Sequence, residues 1–534
     1  MTAKLDTWRA QLNGDFDADF ILEGVGKGFN ILDSTPQVIK KIETKNHKSA
    51  LDRRSKVEKL LTEEILAGNY LVVTEKPDII SAIGAVDKPD SEDIRLIVDA
   101  SLPEGEALND YANPKKFDLD TVDQVTQVLK RGWYQAKIDL KSGYRSVPIA
   151  TENYRYTGVK WKFDGASDYT YLVDTRLPMG ASKSPSIFQR ITSSVCRMMR
   201  KKGFFCYVYL DDFYVCDSSF SKCKRAYDYL WSLLTSLGFT INSKKSVSPR
   251  QCLVFLGIQI DSVTLSMKIP DVKILELKCE LERWITLKSA SKKSIQSLIG
   301  KMNWVARCVK ASCPHMRSII VLLKGLRQRS RRVRLTAEAK KDILWWQKFA
   351  MKFNGVSTWK SSLPDHVIAT DASLSGGAAV YAGDFLYANW ECDFPAIKSM
   401  SINILEMYVI LLALRRWANR WRSQSVHIYT DSNVALYAIS KGRMKSVIGM
   451  KIIKEIHMLS ALMDIDIVLK RIDTKSNCFA DALSRFDDPN FAEKALAMLM
   501  EYKLHKCPIL CNPLSHMSHV SWLHLLQLWS TSRR

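Results

Sequence analysis

No run of apolar residues in this 534-residue chain reaches the ~18 that a transmembrane helix needs, so no membrane partner is expected. Internal repeats and low-complexity tracts are also missing, and no signal-type leader is expected. The twelve cysteines are scattered, with no CxxC pair among them. They are expected to be reduced thiols of an intracellular protein, with nucleus and cytoplasm not distinguished. One cluster, Cys507, Cys511, His516 and His519, is too compressed for a two-Cys, two-His zinc finger. Acid is the scarcer charge: 56 Asp and Glu stand against 78 Lys and Arg, a net +22. An excess that large on a globular chain points to a polyanion, nucleic acid first, because solubility alone rarely needs it.

Apolar residues are plentiful. At 46%, with 10% aromatics, they supply sizeable cores, and the length implies two to four domains. Residues 1–45 form an N-terminal extension with no assignable chemistry. DRRSKVEKLLTEEILA, 52–67, reads as an amphipathic helix with Val57, Leu60, Leu61 and Ile65 on one side. Short β-rich runs alternate with helical segments from 94 to about 260, and 270–325 is mainly helical. KGLRQRSRRVR, 324–334, is a solvated junction or a phosphate-contacting strip. A second α/β unit runs from His366 to about Phe486.

Two adjacent acids, Asp211 and Asp212, sit between strand formers in CYVYLDDFYVC, 206–216, which places them at a hairpin turn. Like charges held together in a partly desolvated place repel, and a divalent cation removes the conflict. A surface turn would explain the pair as well, because Asp is a common turn residue. YQAKIDLKSGYRSVPI, 134–149, offers a strand ending in Asp139. Beside the hairpin it would complete the carboxylate cluster of a two-metal phosphoryl-transfer site, with ions ~3.5–4 Å apart. Mg²⁺ suits oxygen ligands and bridging phosphates.

YLDDF resembles the YxDD signature of reverse transcriptases, and further motifs of that family follow in its order. RLIVDASLPEGEALND, 95–110, resembles the fingers motif, with Lys88 and Arg95 at the positions that hold the incoming triphosphate. Tyr144 matches the aromatic gate against a ribose. RLPMGASKSPSIFQR, 176–190, resembles the segment backing nucleotide and template, with Met179 and Gly180. GFTINSKKS, 238–246, supplies Lys245 near the phosphates. VFLGIQI, 254–260, resembles the primer grip, with Phe255, Leu256 and Gly257. Met179 stands where retroviral enzymes carry Gln, Lys183 replaces a small residue, and Arg145-Ser146 replace His-Gln.

The second unit reads βββαβαβα. HVIATDASLSGGAAVYAG ends its first strand in Asp371, SINILEMYVILLALRRWANRW carries Glu406 in an apolar helix, and HIYTDSNVALYAI ends a strand in Asp431. Taken singly, Glu406 reads better as a helix N-terminal acid, and Asp371 and Asp431 as turn or N-cap residues. ADALSR, 480–485, with Asp481, resembles retroelement ribonuclease H domains, whose four carboxylates would hold two Mg²⁺ ions. A His that helps release product in many relatives is Arg471 here.

The resemblance implies an α+β right-hand polymerase followed by an α/β ribonuclease H-like domain with a mixed sheet. Its boundaries would be fingers and palm 46–265, helical thumb or connection with the basic junction 266–335, linker helix 336–365, ribonuclease H-like domain 366–487, and tail 488–534. The metals would be held by Asp139 and Asp211, with Asp212 supporting the turn, and by Asp371, Glu406, Asp431 and Asp481. Cofactors would be two Mg²⁺ per site, Mn²⁺ substituting. Partners would be an RNA template, a DNA primer, RNA/DNA hybrid and dNTPs. WRAQLNGDFDADFILEGVGKGF, 8–29, SLIGKMNWVARCVKASCPHMRSII, 297–320, and RRVRLTAEAKKDILWWQKFAMKFNG, 331–355, look like DIRS-like retrotransposons, whose tyrosine recombinase would be a separate or missing partner. A Ty3-like or pararetroviral origin is the alternative lineage. A non-catalytic nucleic-acid-binding relic and a DNA-templated polymerase are the rival functions. Seven intact acids argue against the relic; template preference would separate the other.

Overall fold

The computed structural model describes residues 1–36, 40–88, 93–114, 116–324, 332–356, 364–502 and 505–506. The compressed Cys/His cluster, most of the basic junction and the apolar C-terminal stretch lie outside them. The chain divides into two compact units, one of residues 1–256 and 261–263, the other of 257–260 and 264–534.

The first unit opens with two short helices, α1 (Leu5–Gln11) and α2 (Ala18–Lys27). A hairpin follows, β1 (Ala82–Asp87) against β2 (Ile94–Asp99), with Val86 opposite Arg95. At its heart is a four-stranded antiparallel sheet of β3 (Tyr134–Asp139), β4 (Phe205–Tyr209), β5 (Asp212–Asp217) and β6 (Val247–Arg250), in the order β6-β3-β5-β4. Alternation decides its faces. Ala136, Ile138, Phe213 and Val215 are fully buried in one core with Ile187, Phe188, Ile191 and Val195 of helix α3 (Ser184–Lys201) and Leu230, Leu233 and Leu234 of helix α4 (Phe220–Ser236). The same core takes in Trp8, Leu12, Ile21, Val25 and Phe29. The unassigned N-terminal segment is thus part of the domain's interior. A five-stranded sheet, assembled from strands between Ile42 and Asp174, packs over Val57 and Leu61 of the amphipathic helix Arg54–Leu66.

The second unit begins with three helices, α5 (Asp271–Thr286), α6 (Lys292–Val305) and α7 (Ala337–Phe349). Ser291 and Thr336 cap α6 and α7, their hydroxyls accepting from backbone N–H groups three residues on. A mixed sheet follows: β7 (His366–Ala372), β8 (Gly376–Tyr381) and β9 (Asp384–Asn389), then helix α8 (Ile402–Trp417), β10 (Ser425–Thr430), helices α9 (Asn433–Lys441) and α10 (Val447–Leu462), β11 (Asp466–Arg471), helices α11 (Cys478–Ser484) and α12 (Pro489–Tyr502), and the short β12 (His505–Lys506). The strand order is β11-β10-β7-β8-β9-β12.

Two features differ from the pattern read in the sequence. The span after Asp431 holds two helices where one was expected: Gly442, at φ 61°, ends α9, and Ser446 caps α10. The stretch assigned to a tail from 488 begins with α12, whose Ala495 is fully buried with Ala482 and Leu483 of α11. No described helix is long and apolar enough to cross a membrane, and the ten described cysteines are free thiols.

Candidate active sites

The first site is built by register. Asp139 ends β3 directly opposite Asp212, which opens β5, so the two carboxylates share the sheet face turned away from the helices. Tyr209 and Asp212 close the hairpin, with Leu210 and Asp211 at its tip. Leu210 holds φ at 53°, a left-handed backbone that costs a branched residue roughly 1–3 kcal/mol. Asp211, next to it, is exposed at the tip. The Leu140 N–H donates to the Asp211 carbonyl at 3.1 Å, and the Asp139 N–H donates to Ser246 Oγ at 3.1 Å, so both acids are fixed through their backbones.

Asp212 is pushed up to about 6 by burial, then by the charges of Asp211 and Asp139. Its Oδ1 is buried with no hydrogen-bond partner. Asp211 keeps solvent contact, yet desolvation by the surrounding protein leads in raising it and Asp139 adds to that; Lys245 and Arg95 pull it down. Arg95 and Lys245 therefore lie within electrostatic reach of the acids. Lys88 sits farther out on the hairpin, 3.7 Å from Asp93. Tyr144 packs on Phe188 at 4.9 Å between centroids, and burial followed by the Asp211 charge lifts its hydroxyl to about 12. The Met179 carbonyl accepts from Val98 N–H at 3.1 Å, and a Cβ on Gly180, at φ 133°, would stand 1.9 Å from the Val98 carbonyl oxygen. Only glycine lets that loop lie against β2. Phe255 is fully buried against Tyr214, Leu256 has φ 49°, and a Cβ on Gly257 would meet Trp304 at 2.7 Å.

Two residues escaped the sequence reading. Gln189 Oε1 accepts from Leu210 N–H at 2.8 Å, while its Nε2 donates to the Val208 carbonyl at 3.2 Å, so one buried amide holds the strained turn. Asn109 donates to the Gly180 carbonyl at 3.0 Å and accepts from Ser182 N–H at 2.8 Å. Gln189, followed by Arg190, Thr192, Ser193 and Ser194 in a largely polar stretch, carried no signal in the sequence, and neither did Asn109. Arg145, a departure from the family pattern, is a structural ion: its guanidinium contacts Glu64 at 2.8 Å and Asp174 at 2.8 and 2.9 Å.

Parallel pairing builds the second site. Ala369 of β7 is in register with Tyr429 of β10, so Asp371 and Asp431, each two residues on, emerge side by side. Helix α8 is buried almost all round and brings Glu406 from above. Ligand oxygens of Asp371, Glu406 and Asp431 all lie within 4.8 Å of one another. Asp481 stands outside that group, 2.9 Å from Arg485 one turn along α11. Ser484 Oγ donates to Asp371 at 2.6 Å and Thr474 Oγ1 to Asp431 at 2.8 Å, two supports that the sequence reading missed. Arg471 donates to the Asp431 carbonyl at 3.4 Å. Burial, then the charges of Asp371 and Asp431, push Glu406 up to about 9; burial likewise leads in lifting Asp371 to about 7. Glu406 Oε2 is buried without a hydrogen-bond partner. The second site thus holds crowded, oxygen-only donors with an orphaned buried atom, the set a hard divalent cation satisfies, whereas the ligand oxygens of Asp139, Asp211 and Asp212 do not draw together to that degree in the first.

Residues 88–260 match the family model described as reverse transcriptase (RNA-dependent DNA polymerase). The putative enzymatic polyprotein of Cassava vein mosaic virus is 22% identical over 71% of this chain and 57% of its own length. Protein P of Duck hepatitis B virus (isolate Shanghai/DHBVQCA34) is 24% identical over 54% of this chain and 36% of its own length. The retrovirus-related Pol polyprotein from transposon gypsy of Drosophila melanogaster is 22% identical over 65% and 32%. The chain therefore spans between 32% and 57% of the length of these curated relatives. A foamy viral protease-reverse transcriptase solved in complex with double-stranded DNA has a similar fold, with TM-score 0.53 at 17% identity, over 88% of this chain and 81% of that one. The likeness gives the fold: a polymerase fold of mixed α and β content.

Proposed function

We propose, for a chain whose residues 88–260 form a reverse transcriptase domain of the retroelement-polyprotein kind, that it is an RNA-directed DNA polymerase with a ribonuclease H that removes the copied RNA. What carries this reading is Asp139 paired in register with Asp212 beside Asp211, within reach of Arg95 and Lys245. The four-stranded sheet is then the palm, the β1–β2 hairpin belongs to the fingers, and α5 and α6 form the thumb or connection. Asp139 and Asp211 would hold Mg²⁺ in the palm; Asp371, Glu406, Asp431 and Asp481 would hold it in the second site, with Mn²⁺ a substitute. When bound, such ions lower the pKa of the attacking hydroxyl or water and neutralise charge on the leaving oxygen.

The chain's own residues do the rest. Arg95, Lys88 and Lys245 grip the triphosphate of a dNTP, and Tyr144, braced by Phe188, bars a 2′-hydroxyl. Met179 and Gly180 back the nucleotide, and Phe255, Leu256 and Gly257 seat the primer end. In the nuclease site, Ser484 and Thr474 hold Asp371 and Asp431 in place while the RNA strand of a hybrid, marked by its 2′-hydroxyl, is cut. The N-terminal and connecting stretches that resemble DIRS-like elements support that lineage, with a tyrosine recombinase as partner; a recombinase gene beside this coding sequence would bear it out, and an integrase gene would overturn it.

The deciding experiment is Mg²⁺-dependent dNTP incorporation on an RNA template with a DNA primer, beside cleavage of a labelled hybrid. Asp211→Asn should abolish incorporation and spare cleavage, and Glu406→Gln should do the reverse. Folded wild type that incorporates nothing with Mg²⁺ or Mn²⁺ would sink the polymerase reading.

A further inference from the structure

The N-terminal segment has no part in the chemistry above, yet it is fastened along the whole of α3. Three cations lie at seven-residue intervals, Lys183 at the helix N-cap, then Arg190 and Arg197, a spacing that keeps them on one helical face. Each meets acid from the first 33 residues. Arg197 contacts Asp15 at 2.7 Å and Asp17 at 3.1 Å, and Arg190 contacts Asp17 at 3.1 Å. Asp15 and Asp17 are almost wholly buried. Phe16 and Phe20 lie under the two guanidinium groups at 4.2 and 3.5 Å. Lys183 Nζ donates to Asp33 Oδ1 at 3.0 Å and to the Leu32 carbonyl at 3.1 Å.

The segment is anchored on its other side as well. Ile31 N–H donates to Asn153 Oδ1 at 2.9 Å, Asp33 N–H to the Tyr111 carbonyl at 2.9 Å, and Asn113 N–H to Asp33 Oδ2 at 2.6 Å. Asp33 therefore joins three pieces: the N-terminal segment, the loop that carries Asn109, and the residue that ends the Met179–Ser182 loop. Farther along the helix, Gln189 precedes Arg190 and holds the Leu210 amide.

We infer that residues 1–34 are an internal clamp on α3 that positions the nucleotide-backing loop, with Asp33 and Lys183 as its positioning pair. The inference rests on the polymerase reading for what is positioned, though not for the clamp itself. It also accounts for the lysine where the family has a small residue: a small side chain could not reach Asp33. In this chain the strap and the lysine are one device.

The test compares full-length Lys183→Ala, Asp33→Ala and the double variant by amide hydrogen exchange and by single-nucleotide kinetics. Exchange at Ser182 and its neighbours should quicken about fivefold in each single variant, as local opening becomes easier. KM for the dNTP should rise roughly three- to tenfold with kcat changing less than about twofold, and the double variant should be no worse than the worse single one. Unchanged exchange in both single variants, or effects that multiply, would overturn the clamp. Should the alanine variants fail to fold, Lys183→Met decides, because it keeps the aliphatic stem and removes only the ammonium donor: quickened exchange at Ser182 supports the clamp, native exchange overturns it. A wild type without incorporation would count against the polymerase reading alone, because the exchange data still judge the clamp.

Discussion

Glu406 stands in the early turns of a helix that is mostly buried hydrocarbon, and no group among the described residues pairs its Oε2. A carboxyl raised to about 9 by burial and by two neighbouring acids keeps its proton in the fold, whereas the unfolded chain releases it near the ordinary value. From that value up to about 9 the folded state binds more protons, so stability without metal falls as pH rises through the window and levels above it. Glu406→Gln should abolish most of this slope and gain on the order of 3 kcal/mol near pH 8. Mg²⁺ should flatten the slope in wild type and change the slope of the variant far less. Thermal melts from pH 5 to 9 with and without Mg²⁺ would read this, and parallel slopes in the two proteins would refute it. Tyr144 is the other single residue with a sharp expectation. Its ring is wedged by Phe188, so Tyr144→Ala should raise rNTP over dNTP insertion by about tenfold or more, while Tyr144→Phe should keep discrimination. These acids and this ring were legible because each lies in a contiguous motif. The hydroxyls that hold them, Ser484 and Thr474, were not, since nothing local marks a serine for an aspartate 113 residues away.

Elements show the same division. The strands carrying Asp139, Asp371 and Asp431 follow from alternation and from acids at strand ends, and pairing supplied the rest. The break between α9 and α10 was written in Gly442 and Ser446, a stop and a start that apolar periodicity runs straight over. Helix α3 has a role its hydrophobic pattern conceals, because it carries the amide that spans the hairpin beneath Asp211. Gln189→Leu keeps the volume but leaves the Leu210 N–H without its partner, a loss of roughly 1–3 kcal/mol for a buried group. Released from that bond, a turn already strained at Leu210 should drift, so kcat should fall about tenfold or more with KM for the dNTP little changed. Pre-steady-state incorporation by a variant that still melts cooperatively is the check. A rise in KM with kcat intact would place Gln189 with the nucleotide loop instead.

At the scale of the molecule, contacts formed across long stretches of chain were the least legible. The clamp joins residues 182 apart, Asp15 to Arg197, and no local pattern matches the charges on its two sides. The net charge was plain from composition, and its consequence is collective. With 78 cations against 56 acids, internal ion pairing leaves a net charge of +22 uncompensated however the pairs are made. A nucleic-acid duplex carries about one negative charge per 1.7 Å with condensed counterions, and each phosphate contact releases some of them. Affinity for an RNA/DNA hybrid should therefore fall linearly on a log–log plot against salt. With six to ten contacts the loss is about 10³–10⁵ between roughly 50 and 200 mM. Fluorescence anisotropy without Mg²⁺, so that neither site turns over, would give the slope. Asp211→Asn removes one acid from the floor of one site and should leave the slope within about one unit of wild type, because backbone contacts are made along the duplex. Lys→Ala changes that remove true phosphate contacts should each lower it by about one. An affinity flat across that range would mean the surplus charge faces something other than a nucleic-acid backbone, and the substrate assigned to both sites would fall with it.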